Sequence, residues 1–530
     1  MAQNSQPGNI LFIMCDQLRF DYLGCYGHPT LHTPNIDALA SRGVRFTNAW
    51  CNSPLCGPSR ASFYTGRYAA SHGVYGNNDF TRLDEMMISD YLRPLGYRAA
   101  VTGKTHSRKN STSMKAMGVD MNSAFANAAA SGGFEPFELH EGLLSDPILK
   151  ATQFKGYHQY LHSKGYESEN PWQDNANSGI DADGRRHSGW ALRSACYPAD
   201  IDEQHSETAF TTDRAMDFIR ECGNQPWCLH LSYIKPHWPV IAAAPYHDMY
   251  AVSDISKAIR CETERNNPHP VYQAFMQQEY SQSFASDDVR ETVIPAYMGL
   301  VKQIDDHLGR LFDFLKDHDL EKNTLIVFTA DHGDYLGDHW LGEKDLFHNA
   351  SAKLPFILVD PRPDADSSRG QVCEHLVEAV DLLPSLIEYA GGESNRERLE
   401  GQSLLPVLHH RQESIDRDYV ISEIDYSERN LRQSLGLEPY QCRATMVCNK
   451  QWKYIHHLEF ESQLFDLTND PDELQDLGKE PGLKAVRAEM KECLFDWQAR
   501  LKRRSGMNYQ RLLDQSPEQD EKWGIIIGRW

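Results

Sequence analysis

Asn9-Ile-Leu-Phe-Ile-Met14, closed by Cys15-Asp16-Gln17, is the stretch on which the fold turns. It is strongly apolar with little alternation, the pattern of a strand covered on both faces within a parallel sheet. The same design recurs at Thr324-Leu-Ile-Val-Phe-Thr329, followed at once by Ala330-Asp-His-Gly-Asp334. Two buried strands that each release an acidic residue at the carboxyl end fit an open α/β sheet, whose ligands sit beyond those ends. Lys353 to Val359 reads as a third such strand, and Val44–Phe46, Arg98–Thr102 and Trp227–Tyr233 as others.

Helices are expected between them. Thr33 reads as a cap with Pro34 at the first helical position and Gly43 as the stop. Others are expected at Ser59–Thr65 behind Pro58, Met86–Leu95, Ser206–Arg220, Val293–Lys316 and Leu376–Tyr389. The stretch from 110 to 200, rich in Gly, Asn, Ser and His, yields no clear elements. Past a polar stretch at Pro361–Gly370, short strands at Tyr419–Ile424, Ala444–Val447 and Lys453–His456 read as an antiparallel meander. The expected architecture is α/β: a large, mixed, mostly parallel sheet flanked by helices over 1–360, then a smaller antiparallel α+β unit over 361–500. Residues 501–530 form a tail ending in Trp523-Gly-Ile-Ile-Ile-Gly-Arg-Trp530. That apolar end is expected to dock, on its own domain or on a second subunit.

The chain has 530 residues, 40% hydrophobic, with a formal charge of -22. So acidic a balance argues against nucleic acid or an anionic membrane as the main partner. It leaves room for a small anion bound by local positive charge. Neither a secretory leader nor a membrane-spanning run is read in the sequence, so a cytoplasmic location is expected. The twelve cysteines are scattered without a CxxC pair and are expected to be reduced.

The stretch richest in chemistry is Cys51-Asn-Ser-Pro-Leu-Cys-Gly-Pro-Ser-Arg-Ala-Ser-Phe-Tyr-Thr-Gly-Arg67. A helix starting after Pro58 would put Cys56 just ahead of its N-terminus, where unpaired N–H groups favour an oxyanion. Arg60 could then fork onto sulfate or phosphate oxygens. Cys56, Pro58, Ser59, Arg60, Thr65 and Gly66 together resemble the signature of the type I sulfatases, within the alkaline phosphatase superfamily.

The resemblance extends in family order from residue 9 to about 480. It implies an alkaline-phosphatase-like fold and a Cys56 converted to formylglycine, an aldehyde that hydrates to a geminal diol. It implies one divalent cation held by Asp16, Asp331, His332 and position 56, with Gln17, standing where many relatives have a second aspartate, contributing its amide oxygen. Oxygen-rich ligation suits Ca²⁺, Mg²⁺ or Mn²⁺, and His332 shifts the balance toward Mn²⁺ over Ca²⁺. In Gly103-Lys-Thr-His106, Lys104 would contact the sulfate and His106 the diol. In Lys235-Pro-His-Trp-Pro239, His237 would meet the leaving-group oxygen. Lys344 resembles the second active-site lysine, and Asn77, with Asn78 beside it, is a candidate for holding the transferred group. His72 and His339 read as structural.

Within the family, Asp16-Gln17, Cys56-Gly-Pro, Asn77, Lys235-Pro-His-Trp-Pro239 and Asp331-His332 are similar to the arylsulfatase and phosphonate monoester hydrolase branch. Lys104 and His106 depart from the phosphonate hydrolases, which carry neutral hydroxyl residues there. Sulfate monoesters are therefore the first expected substrate, and phosphonate monoesters or phosphodiesters the second. A formylglycine-generating system is the implied maturation partner, and a homo-oligomer, dimer or tetramer, is the expected assembly.

Overall fold

The apolar run that opens the chain becomes the strand β1 (Asn9–Asp16), and all eight of its residues are buried. The structure, a computed structural model, describes residues 8–108, 110–142, 155–410, 415, 417–503 and 524. The remaining strands follow in order. They are β2 (Val44–Trp50), β3 (Arg98–Gly103), β4 (Glu135–Leu139), β5 (Ser178–Ile180), β6 (Arg186–Ser188), β7 (Trp227–Pro236) and β8 (Thr324–Ala330). Then come β9 (Lys353–Val359), β10 (Val372–Glu378), β11 (Val420–Asp425), β12 (Arg443–Cys448), β13 (Trp452–His457) and β14 (Gln463–Asp466).

Eight strands form one sheet in the order β10-β2-β9-β8-β1-β7-β3-β4. β1 pairs in parallel with β7 and β8, and β3 in parallel with β7 and β4. Only β9 runs against its neighbours, β8 and β2. The expected large, mixed, mostly parallel sheet is therefore present. A second sheet, β11-β12-β13-β14, is wholly antiparallel, as expected of the smaller C-terminal unit.

Helices cover the large sheet. The helix Asp287–Asp317 buries Val293, Ile294, Tyr297, Val301, Ile304, Leu308 and Leu311 on one stripe, which matches the three-to-four spacing of its apolar residues. Helix Glu207–Cys222 is capped by Ser206, whose side chain accepts from Ala209 N. Helix Lys484–Arg500 packs Met490, Leu494 and Trp497 onto the small sheet beside Ile421, Val447, Tyr454 and Leu464.

Several expectations need correction. Residues 372–378, placed with the C-terminal unit, form β10 and pair in parallel with β2 at the edge of the large sheet. The polar stretch before them is thus a connection within the large unit, not a boundary at 361. The expected helix at Leu376 begins only at Leu382, because Leu376 to Glu378 complete β10. Thr33 is the N-cap residue with Pro34 next, as expected, but its hydroxyl accepts from Gly24 N and bonds the Asp37 carboxylate instead of a backbone N–H of the first turn. Within 110–200, the described residues form short helices, β4 and the hairpin β5–β6. The docking expected of Trp523–Trp530 falls, save for Gly524, outside the described residues. All twelve cysteines are unpaired. No helix among the described residues is long and apolar enough to cross a membrane.

Candidate active site

The strands β8, β1, β7 and β3 are consecutive neighbours and run parallel, so their carboxyl ends open on one edge. β1 ends in Asp16, and β8 hands over to Asp331 and His332. β7 reaches Lys235 and leads to His237, and β3 ends at Gly103 with Lys104 next. β2 leads through a short loop into the helix Cys56–Thr65. That helix starts at Cys56, not after Pro58, and all ten of its residues are buried. Cys56 is therefore the first helical residue, and the helix terminus is driven into the sheet edge.

The structure brings Asp16, Cys56, Asp331 and His332 together, with one potential donor atom from each within 4.8 Å of the others. Cys56 Sγ lies 3.1 Å from His332 Nε2, 3.2 Å from Lys344 Nζ and 3.7 Å from Asp16 Oδ1. Among the described residues, no other cluster of this kind is found.

Arg60 is directed elsewhere than expected. It is fully buried, and its Nε donates to Asp331 Oδ2 at 2.8 Å while Nη2 meets Asp16 Oδ2 at 3.2 Å. Its Nη1 donates to Lys104 O and Ser232 Oγ, each at 2.8 Å. The fork thus grips the rear of two carboxylates instead of standing free for an incoming anion. Lys104 Nζ also sits on Asp16 Oδ2, at 2.5 Å. Asp16 keeps Oδ1 toward Cys56. Asp331 Oδ1 accepts from the backbone N–H groups of Gln17 and His332, each at 3.0 Å.

Gly103 is required for this path. Its φ is +105°, and a Cβ there would lie 1.8 Å from Ser232 O. Only glycine lets the chain turn so close to β7 before Lys104.

The electrostatics favour an anion at position 56. Three buried cations, Arg60, Lys104 and Lys344, stand around Asp16, Asp331 and position 56, with Glu343 3.7 Å from Lys344 on its outer side. Burial pushes the Cys56 thiol up, but Lys344, Lys104 and His332 carry it well below the usual thiol range. Cys15 and Cys51, buried without that surround, are pushed up instead. Asp16 is held well below the usual carboxylate range: burial and Cys56 oppose this, and Lys104, His237 and Arg60 prevail.

The donor set fits a divalent cation. Against the effect of burial, Asp331 and Cys56 raise the His332 imidazole to about 9; a divalent cation held here would take the place of the Nε2 proton, while Nδ1, 2.9 Å from Gly333 O, would keep the other. Two carboxylates, one imidazole and the position-56 side chain suit an oxygen-preferring or borderline ion. Gln17 fits this set less directly. Its Oε1 accepts from Lys344 Nζ at 2.8 Å, and its Nε2 donates to Asp334.

The other expected residues lie around this centre. His106 adopts a positive φ of 54°, and its imidazole helps to hold the Cys56 thiol down. Asn77 Oδ1 accepts from Gly57 N at 2.9 Å, whereas Asn78 bonds Glu428 on the surface. His237 is near enough for its charge to act on Asp16, and its Nδ1 lies 3.0 Å from Trp238 O. His72 bonds Ser62 and His339 bonds Glu264, both away from the cluster.

Sequence reading missed the supports. Glu141 accepts from Thr105 N and His106 N, at 2.8 and 2.9 Å. Asp334 orients Gln17, Ser232 receives Arg60, and Tyr297 donates to Gln17 O at 2.8 Å. Of these, only Asp334 carried a signal, as the second acidic residue after β8.

A family model described as Sulfatase matches residues 8–392, and one described as N-sulphoglucosamine sulphohydrolase, C-terminal, matches 337–500. The chain is 28% identical over 520 residues to a multifunctional alkaline phosphatase superfamily protein of Trinickia caryophylli, covering 92% of this chain and 95% of that one. It is also 28% identical over 485 residues to an arylsulfatase of Clostridium perfringens, covering 88% and 90%. A solved phosphonate monoester hydrolase from Silicibacter pomeroyi superposes with a TM-score of 0.82 at 26% identity, covering 95% and 96%. Its counterpart from Agrobacterium radiobacter gives 0.79 at 26%, covering 93% and 95%. The Sulfatase match spans the whole large sheet, from the residue before β1 past the end of β10, and the chain belongs to the sulfatase family.

Proposed function

We propose that this enzyme hydrolyses sulfate monoesters, aryl sulfates among them, through a formylglycine made from Cys56. The observation that carries the reading is the placement of Cys56. It is the first residue of a buried helix, within 3.7 Å of Asp16, His332 and Lys344. That surround stabilises an anionic side chain and attracts an anionic ester.

Asp16, Asp331, His332 and position 56 would hold one divalent cation, Ca²⁺ or Mn²⁺. When bound, it would add positive charge beside the ester oxygens and make a hydroxyl at position 56 more acidic. Formylglycine, once hydrated, would offer one hydroxyl as nucleophile and a second for product release.

The chain's own residues divide the rest. Arg60 holds both aspartates in place and helps to keep Asp16 ionised. Lys344 and Lys104 balance negative charge on the ester and on position 56. Asn77 holds the first turn of the helix through Gly57 N and borders the anion. His237 would give a proton to the departing oxygen, and His106 would take one from the position-56 side chain.

A second reading, phosphonate monoester or phosphodiester hydrolysis at the same site, is favoured by the similarity to the two solved phosphonate monoester hydrolases. Lys104 separates the two. A sulfate ester offers three non-bridging oxygens to nearby donors, and a phosphonate two oxygens and one carbon substituent. The test is the ratio of kcat/KM for an aryl sulfate against an aryl phosphonate monoester, in the wild type and in Lys104→Ala. A ratio favouring sulfate that falls in the variant supports the first reading. A ratio favouring phosphonate, unchanged in the variant, replaces it with the second.

A formylglycine-generating system would be the maturation partner. Assembly as a homo-oligomer, a dimer or tetramer, and a cytoplasmic location remain part of the proposal. Sedimentation of the full chain tests the assembly.

A further inference from the structure

Outside the reaction cluster, one buried carboxylate ties together the two loops that carry His106 and His237. Glu207 is the first residue of its helix and is 5% exposed. Its Oε1 accepts from Trp172 Nε1 at 2.6 Å and meets His140 Nε2 at 2.7 Å. Its Oε2 accepts from Asn177 Nδ2 at 3.2 Å and lies 3.5 Å from Lys235 Nζ.

Lys235 Nζ in turn donates to Asn177 Oδ1 and to Pro239 O, each at 2.7 Å. The second bond closes a ring. Lys235 and Pro239 are the two ends of Lys235-Pro-His-Trp-Pro239, and the ammonium group joins them with His237 between. On the other side, His140 N donates to Gly103 O at 3.0 Å, and the next residue is Glu141, which holds Thr105 and His106.

A buried ion pair is a weak source of net stability, because desolvation of both charges offsets their attraction. What this pair supplies is geometry. The lysine is 4% exposed. Burial pushes the Lys235 ammonium down and the Glu207 carboxyl up; Lys235 and His140 nevertheless bring Glu207 to about 2. An apolar side chain of the same length would fill the space, but it could not bond Pro239 O.

We infer that Lys235, anchored on Glu207 and Asn177, is a positioning residue that fixes His237 for proton delivery to the leaving group. The inference rests on His237 being the acid that serves the departing oxygen in the proposed function. In that step an oxygen of the hydrated position-56 side chain bonds sulfur and releases its proton to Asp331, the bond from sulfur to the leaving oxygen breaks, its electron pair stays on that oxygen, and the proton on His237 follows. Misplacing His237 then harms substrates in proportion to how badly their leaving oxygen needs the proton.

The experiment compares phenyl sulfate with 4-nitrophenyl sulfate, whose leaving anion is stable without protonation. Rates are normalised to the converted fraction at position 56. Lys235→Met is expected to lower kcat on phenyl sulfate about 10²-fold, within the span of general acid catalysis. On 4-nitrophenyl sulfate the loss should be about threefold or less, with KM unchanged on both. His237→Ala should show the same split, and the double variant should lose nothing further on phenyl sulfate.

Equal losses of Lys235→Met on both esters, or its full loss repeated in the His237→Ala background, would overturn the inference. If His237→Ala itself shows no split, the role of His237 falls and the inference falls with it. If His237→Ala splits and Lys235→Met does not, only the inference falls. Should Lys235→Met fail to fold, Asn177→Ala removes one anchor and keeps the ion pair. A smaller split of the same sign is then expected, and no split overturns the proposal.

Discussion

Arg60→Met separates two roles for the arginine in the Cys-Gly-Pro-Ser-Arg stretch. The sequence pointed Arg60 at the substrate; the structure points it at Asp16 and Asp331. All three side chains are wholly buried. Removing one partner of a buried pair costs about 3–5 kcal/mol, because a charge is left behind without its counterion. Two groups moderate the loss at this site. Lys104 stays on Asp16 Oδ2, and Asp331 Oδ1 keeps two backbone N–H groups. Two others deepen it, since Lys104 O and Ser232 Oγ also lose their donor. An unfolding entropy of about 2.1 cal/mol/K per residue makes each kcal/mol worth roughly 1 °C if the whole chain unfolds together. Calorimetry in chelator should therefore find the variant melting about 3–5 °C lower. Bound divalent metal, measured by elemental analysis, should fall along with turnover. An unchanged melting temperature and full metal content, with turnover alone lost, would refute the carboxylate-holding role and return Arg60 to the substrate.

Three further outcomes are expected. Burial raises the Glu423 carboxyl to about 7 from 4.5, although it accepts from Ala70 N. Its stabilising contribution is present below pH 4.5 and is lost as pH rises through 7, so Glu423→Gln should be more stable than wild type at pH 8 by up to about 3 kcal/mol. Calorimetry at both ends of that window checks this, and an equal offset at pH 4.5 and 8 contradicts it. Gly103→Ala puts a Cβ against Ser232 O at positive φ and should cost at least about 1–3 kcal/mol, with turnover reduced through Lys104; wild-type melting and rate would show that the turn relaxes freely. Asp331→Ala should lose metal and turnover together, and stoichiometric metal with near-normal turnover would remove Asp331 from the ligand set.

The legible parts of this chain were those with strong local patterns. β1 and β8 announce themselves because each is a near-continuous apolar run that ends in an acidic residue. Cys56, Lys104, His106 and His237 stand in short motifs beside such strands. β10 was hidden because it is an edge strand: Val372 is 48% exposed, and Glu374 interrupts the apolar run. The target of Arg60 was hidden for another reason. Asp16 and Asp331 are 315 positions apart in the chain, and only the adjacency of β1 and β8 puts both within reach of one guanidinium group. Glu207, Asn177 and Glu141 are ordinary polar residues in sequence. Their role comes from long-range pairing, and Asn177 and Glu141 lie inside a stretch whose short helices and hairpin lack an apolar period.

Turnover is expected to depend on formylglycine at position 56. Quantitative peptide mass spectrometry across Cys56, on preparations matured to different extents, tests it most directly when each is assayed on one aryl sulfate. Turnover should rise in proportion to the converted fraction and extrapolate to zero at none converted. Full turnover in a preparation whose Cys56 is uniformly an unmodified thiol would contradict it.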